Sequence, residues 1–461
     1  MTLRTPGSIL LISCYELGHQ PLGVALPLGF LERAGFAPAA LDIAVQDFNP
    51  ELIRPAVFVG ISVPMHTALR LGVRLAEGIR RIAPSCHICF YGLYAALNSE
   101  YLLEHGADAC IGGEYEGPLV ELVESIERGS QEPIAGVIRN DQRALPVLEK
   151  LDFAVPSRAA LPPLSAYAQL EQGGECRVAG YVEASRGCRH LCTHCPIPPV
   201  YNGRFFVLPQ QIVLQDIRHQ VAAGATHITF GDPDFLNGPQ HALRVVTAMH
   251  AEFPELTFDF TAKVEHLISR GQNLPEFAAC GCLFVITAVE SLSERVLTIL
   301  DKQHTPQDVT EALRIVHDAG IAMRPTWVSF TPWTTSADFA QILDFVESHG
   351  LIDHIDPVQY SIRLLVPPGS WLADHPQMLP HRGALDDAAF TYRWTHPDPE
   401  MDRLQTAVAR LVEDAAQSDE DPATTFYRIK ALGDPGTPVC VPPTLAEHRK
   451  RAPRLTESWF C

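Results

Sequence analysis

Gly180-Tyr181-Val182-Glu183-Ala184-Ser185-Arg186-Gly187-Cys188-Arg189-His190-Leu191-Cys192-Thr193-His194-Cys195 is an apolar strand running straight into a cysteine loop. Its spacing, C-x3-C-x2-C, offers three thiolates where a four-iron cluster has four irons to bind. Iron–sulfur clusters are held by cysteine thiolates, usually four of them. Three leave one iron free for a small molecule, which points to redox-initiated chemistry. The competing reading is a structural zinc site with His190 or His194 as fourth ligand. Zinc pairs are more often C-x2-C separated from a second pair by a dozen residues or more, and no such pair follows here.

Working outward, segments 180–184, 227–230, 257–262, 284–289, 324–330 and 358–365 are apolar strands separated by helical patterns. Six βα units predict a partial barrel, whose active site lies at the carboxyl ends of its strands as in complete barrels. The cysteine loop leaves the first of these strands at that end. Upstream, strands at 8–14, 40–44, 56–63, 87–93 and 109–112 alternate with amphipathic helices. In the helix between the third and fourth, Leu69, Val73, Leu75 and Ile79 recur at near-helical spacing. Such alternation predicts a doubly wound sheet that binds ligands beyond its strand ends. The chain is therefore expected to be α/β. A Rossmann-like domain spans 1–132, a proline-rich linker 133–177, a partial (β/α)6 barrel 178–375, and a mixed C-terminal extension 376–461.

Composition narrows the function classes. The 461 residues are 46% hydrophobic and 19% charged, with a net charge of -19. That balance suits sizeable cores and disfavours nucleic-acid binding, which needs clustered Lys and Arg. No apolar run nears the ~20 residues that span a bilayer, and the short run from Ile9 to Ile12 suits a first strand better than a signal peptide. Twelve cysteines without an export signal predict reduced thiols in the cytoplasm. Cys14, Cys86, Cys89 and Cys110 are expected as buried small hydrophobes, and Cys280 and Cys282 as packing residues.

The cysteine loop with the barrel pattern behind it resembles the radical S-adenosylmethionine (SAM) superfamily. That resemblance implies a [4Fe-4S] cluster on Cys188, Cys192 and Cys195, with SAM chelating the fourth iron and a flavodoxin or ferredoxin as reductant. Gly231-Asp232-Pro233-Asp234 takes the place of the family's Gly-Gly-Glu segment, and Val289-Glu290-Ser291 looks like its ribose-contacting element. Asp232 or Asp234 would then accept from the SAM ammonium and Glu290 from ribose hydroxyls. Either carboxylate could equally be a helix cap. The N-terminal region resembles the cobalamin-binding domain of one radical SAM class, through Tyr91-Gly92-Leu93-Tyr94 and Gly113-Glu114-Tyr115-Glu116. The Asp-x-His-x-x-Gly loop is missing, and His19 stands near its histidine's place with different neighbours.

The terminal Arg454-Leu455-Thr456-Glu457-Ser458-Trp459-Phe460-Cys461 resembles a group named for a Cys-Cys-Ala-Glu-Pro or Cys-selenocysteine-Ala-Glu-Pro tail. A UGA codon read as selenocysteine after Cys461 is one expectation. Within that group the known function is arsinothricin biosynthesis, in which the 3-amino-3-carboxypropyl part of SAM moves onto trivalent arsenic. This implies arsenite as substrate and Cys461, with Cys440, as substrate ligands. The alternatives are a cobalamin-dependent radical SAM methyltransferase and a noncatalytic cluster or zinc sensor.

Overall fold

A computed structural model describes residues 3–140, 142–433, 439, 441, 449 and 451–456. Cys440 and Cys461 lie outside the described residues.

Strict alternation along the first strands gives the N-terminal sheet two buried faces. Leu10, Ile12, Val59, Ile61, Ile88 and Phe90 enter one core, while Ile9, Leu11, Phe58, Cys89 and Tyr91 enter the other. A strand apolar on both faces belongs inside a parallel sheet covered by helices. The strands are β1 (Ile9–Ser13), β2 (Ala39–Asp42), β3 (Phe58–Ser62), β4 (His87–Tyr91), β5 (Ala109–Ile111) and β6 (Val137–Ile138). Their order is β2-β1-β3-β4-β5-β6, parallel except for β6. This is a doubly wound order whose switch point lies between β1 and β3.

The second sheet begins inside the stretch expected as linker. It comprises β7 (Gln169–Gln172) and β8 (Glu175–Val182), and after the short hairpin of β9 (Ser185–Gly187) and β10 (Phe205–Val207) come β11 (His227–Phe230), β12 (Thr257–Thr261), β13 (Cys282–Glu290) and β14 (Ala322–Trp327). Beyond the antiparallel pair β15 (Arg382–Asp386) and β16 (Thr391–Trp394), β17 (Arg454–Leu455) returns to it. The order is β14-β13-β12-β11-β8-β7-β17. β8 and β11 to β14 run parallel, and β7 and β17 add antiparallel edges. Helices such as Gln210–Ala222, Pro239–Glu252, Pro306–Asp318 and Ser336–Ser348 close one large core against this curled half-barrel.

The strand expected at 358–365 does not form. Pro357 opens a 3-10 turn, Pro357–Ser361, because proline supplies no ladder N–H and suits a first helical position. What remains of a sixth unit is the parallel bridge Phe330–Arg363. In the stretch 133–177, Arg158 is fixed rather than loose. Its guanidinium donates to Asp216 at 2.7 and 2.8 Å, to Gln20 at 2.9 Å and to the Tyr181 carbonyl at 2.8 Å.

Candidate active site

The cysteine loop is aimed by its neighbours. Gly187, at φ +72°, ends β9, and a Cβ there would meet the Arg204 carbonyl at 2.4 Å, so only glycine lets the chain turn into Cys188. Thr193 anchors the loop's far side, donating from its amide to the Leu300 carbonyl and from its hydroxyl to the Ile299 carbonyl at 2.8 Å. Cys188 and Cys192 are buried and Cys195 half-buried. Burial raises the Cys188 thiol and pushes Cys195 up to about 12.

Among the described residues, only His190, Glu265 and His266 bring three potential ligand atoms within 4.8 Å of one another. The three cysteine sulfurs are therefore spread wider than the roughly 3.8 Å at which tetrahedral zinc holds thiolates. A lone tetrahedral ion does not suit that spread. Two buried lysines face the same sulfurs. Lys263 Nζ donates to Cys192 Sγ at 3.7 Å. Lys302 is held by Glu290 at 3.2 Å; burial opposes its charge, but Glu290 and the neighbouring Cys192 and Cys195 keep its pKa above the ordinary value. Cationic neighbours are what a set of thiolates needs in a dry site.

Glu290 closes β13 at φ +69°, a left-handed conformation rare outside glycine and concentrated at functional sites. Its carboxylate also meets His194 Nε2 of the cysteine loop at 3.3 Å. Burial alone would raise it, but Lys302 and His194 hold Glu290 well below the usual carboxylate range. Ser291 is buried and accepts from the Ser293 amide. Asp232 accepts from the Ala184 amide at 2.9 Å and the Ser185 hydroxyl at 2.5 Å, while burial pushes it up to about 7. Asp234 takes up the Leu236 amide at 3.0 Å and His266 Nδ1 at 2.8 Å. Asp232 and Glu290 share with Tyr181, Asp259, Trp327 and Gln359 the wall of a cavity of about 380 Å³ inside the half-barrel. That lies within the roughly 300–1,000 Å³ of small-ligand sites.

A second cavity, about 250 Å³, lies where the two sheets face each other, and Tyr181, Gly231 and Pro233 line both. Arg186 stands on its wall with three carboxylates, Glu114 at 3.2 Å, Glu116 at 2.5 Å and Glu183 at 2.7 Å. Burial, opposed by Arg186, pushes Glu114 and Glu183 up to about 7. The Gly23, Gly92 and Gly113 backbones on this cavity's wall leave it open at the strand ends, where a doubly wound sheet takes a ligand. Glu16 accepts from the Leu22 and Gly23 amides at the switch point, and a Cβ on Gly23 would meet Ser62 Oγ at 2.4 Å. His19 stacks on Tyr181 of β8, centroids 4.3 Å apart, and lines the half-barrel cavity instead.

The loop adjoins both carboxylate segments, His190 lying 3.4 Å from Asp234 and His194 3.3 Å from Glu290; Asp232 and Glu290 line the half-barrel cavity, and Asp234 and Ser291 are not on its wall. Lys263, Lys302 and Arg186 went unnoticed in the sequence. Lys263 and Lys302 come from separate βα units with no spacing to tie them to the cysteines, though Arg186 stands beside the loop.

Comparison with known proteins agrees with this geometry. The sequence profile of a family described as "Radical SAM superfamily" matches residues 182–345. A tRNA-2-methylthio-N(6)-dimethylallyladenosine synthase of Pectobacterium atrosepticum is 23% identical over 288 residues, 59% of this chain and 55% of that one. This chain thus spans little more than half the length of that relative. An uncharacterized methyltransferase of Pyrococcus horikoshii is 21% identical over 70% of this chain and 69% of its own. Among solved structures, the cobalamin-dependent SAM radical enzyme OxsB with aqua-cobalamin bound aligns at TM-score 0.71 and 16% identity, over 91% of this chain and 72% of that one. The radical SAM methyltransferase TsrM from Kitasatospora setae, with tryptophan and a SAM analog bound, aligns at TM-score 0.64 and 16% identity, over 93% and 96%. At such identities the likeness is one of fold: a half-barrel behind a Rossmann-like sheet. The three-cysteine loop, the curled sheet that carries it and the matched profile together make residues 182–345 a radical SAM domain.

Proposed function

We propose that this chain cleaves SAM reductively inside the half-barrel and transfers its 3-amino-3-carboxypropyl group to trivalent arsenic. The carrying observation is the cysteine triad, spread too wide for one ion, backed by two buried lysines and joined through His194 to Glu290 on the cavity wall. A [4Fe-4S] cluster on Cys188, Cys192 and Cys195 would supply the electron that breaks a carbon–sulfur bond. The chain's own residues do the rest. Lys263 and Lys302 offset the thiolates' charge. Glu290, kept ionised by Lys302 and His194, accepts from ribose hydroxyls, and Ser291 fixes the turn beneath it. Asp232 or Asp234 receives the SAM ammonium.

The arsenic reading draws support from the chain's last described segment. β17 is antiparallel to β7, itself antiparallel to β8, so it climbs in the barrel strands' own direction. Leu455 lies on the cavity wall. Cys461 follows Thr456 by five residues, a reach of at most about 17 Å. Soft thiolates bind soft metalloids, so Cys461, with Cys440, suits an arsenite ligand. Methyl transfer through cobalamin is the second reading, favoured by the fold of OxsB and TsrM and by the cavity between the two sheets. Anaerobic reconstitution with SAM and dithionite, with and without arsenite, separates the two by mass analysis. Methylthioadenosine formed only with arsenite supports carboxypropyl transfer. Corrin absorbance with methylated product, or 5′-deoxyadenosine alone, overturns it.

A further inference from the structure

Beside the cysteine loop, two imidazoles and two carboxylates are gathered, and among the described residues no lysine or arginine pairs with either carboxylate. His190 projects from the loop between Cys188 and Cys192, and Glu265 and His266 come from the helix Val264–Ser269 that follows β12. Glu265 Oε2 stands 3.9 Å from His190 Nε2 and 3.5 Å from His266 Nε2. His190 Nε2 is buried and has no aligned hydrogen-bond partner among the described residues. Its distance to Asp234 Oδ2 is 3.4 Å. On the opposite side of His266, Nδ1 meets Asp234 Oδ2 at 2.8 Å. That arrangement frees Nε2 and fixes the ring, as a carboxylate does behind metal-bound histidine.

We propose that His190, Glu265 and His266 form a mononuclear site for a divalent transition metal, zinc or ferrous iron. Two imidazoles and one carboxylate are a recognised donor set for both ions when a position stays open to water. Here the opening lies at Glu265, whose side chain is 39% exposed, whereas the histidines are 9% and 10% exposed. A divalent ion also neutralises the paired negative charges of Asp234 and Glu265 in one step. Neither local lysine does so: Lys263 Nζ is directed at Cys192 and Lys302 at Glu290. Because His190 belongs to the cysteine loop, the ion would brace that loop against the β12 helix.

The test uses the full chain with its iron–sulfur cluster reconstituted, so that the thiolates are occupied, dialysed against zinc chloride and then buffer. Elemental analysis should find one zinc per chain beyond the iron. The zinc absorption edge should report N/O ligands near about 2.0–2.1 Å and no sulfur near about 2.3 Å. Asp234→Asn should weaken zinc about 10–100-fold, Glu265→Gln, which removes a ligand, should weaken it at least as much, and His266→Gln should abolish it. Unchanged iron content and circular dichroism in Glu265→Gln show that the fold survives. No retained zinc, zinc undiminished in both Glu265→Gln and His266→Gln, or sulfur in the zinc shell would each overturn the site. None of these readings depends on SAM turnover.

Discussion

Replacing Cys188 by Ala takes away one of the loop's three thiolates. Iron content after reconstitution should collapse, and SAM cleavage should fall below detection. Glu290 offers a finer probe, because Lys302 and His194 keep it charged inside the protein. Glu290→Gln removes a charge-assisted acceptor worth about 1.5–3 kcal/mol. KM for SAM should rise roughly ten- to hundredfold, with iron content unchanged. The cysteines were legible because cluster chemistry dictates a local spacing. Lys263 and Lys302 were not, because they reach the same sulfurs through tertiary folding from more than 65 residues away.

At the level of strands and helices, the buried carboxylate of Glu16 caps the entry to the helix Leu22–Arg33. Burial pushes it up to about 8 from an ordinary 4.5. A carboxyl raised by folding holds its proton in the native state, so its contribution to stability is complete below pH 4.5 and lost as pH climbs toward 8. Melting temperature should fall across that window, and Glu16→Gln, which keeps an acceptor but cannot ionise, should flatten the fall. Short apolar runs set between helical patterns made β1 to β5 and the five parallel barrel strands legible. The sixth was not, because an apolar run at 358–365 says nothing of the turn that Pro357 opens. β17 escaped as well, since two residues carry no period.

Across the whole molecule, Arg186 on the β9 hairpin ties carboxylates of the N-terminal domain to one of the half-barrel. Arg186→Met would leave Glu114, Glu116 and Glu183 buried together without their cation. Stripping one partner from such a group costs about 3–5 kcal/mol, which chemical denaturation would read directly. The C-terminal extension ties in as well: His66 Nε2 lies 2.6 Å from the Ala389 carbonyl, and Tyr101 meets Phe390 edge-on. Cutting the chain after Thr456 should spare the iron content yet abolish the arsenic-bearing product and, with it, the arsenite-dependent methylthioadenosine. That separation is expected only if the tail thiol serves the acceptor and not the cluster.

Electron paramagnetic resonance of the reduced, anaerobically reconstituted full chain, recorded with and without SAM, bears most directly on a three-thiolate cluster with an open iron. A four-iron signal that changes when SAM is added is the expected result. Zinc in place of iron on Cys188, Cys192 and Cys195, or an iron signal indifferent to SAM, would contradict it.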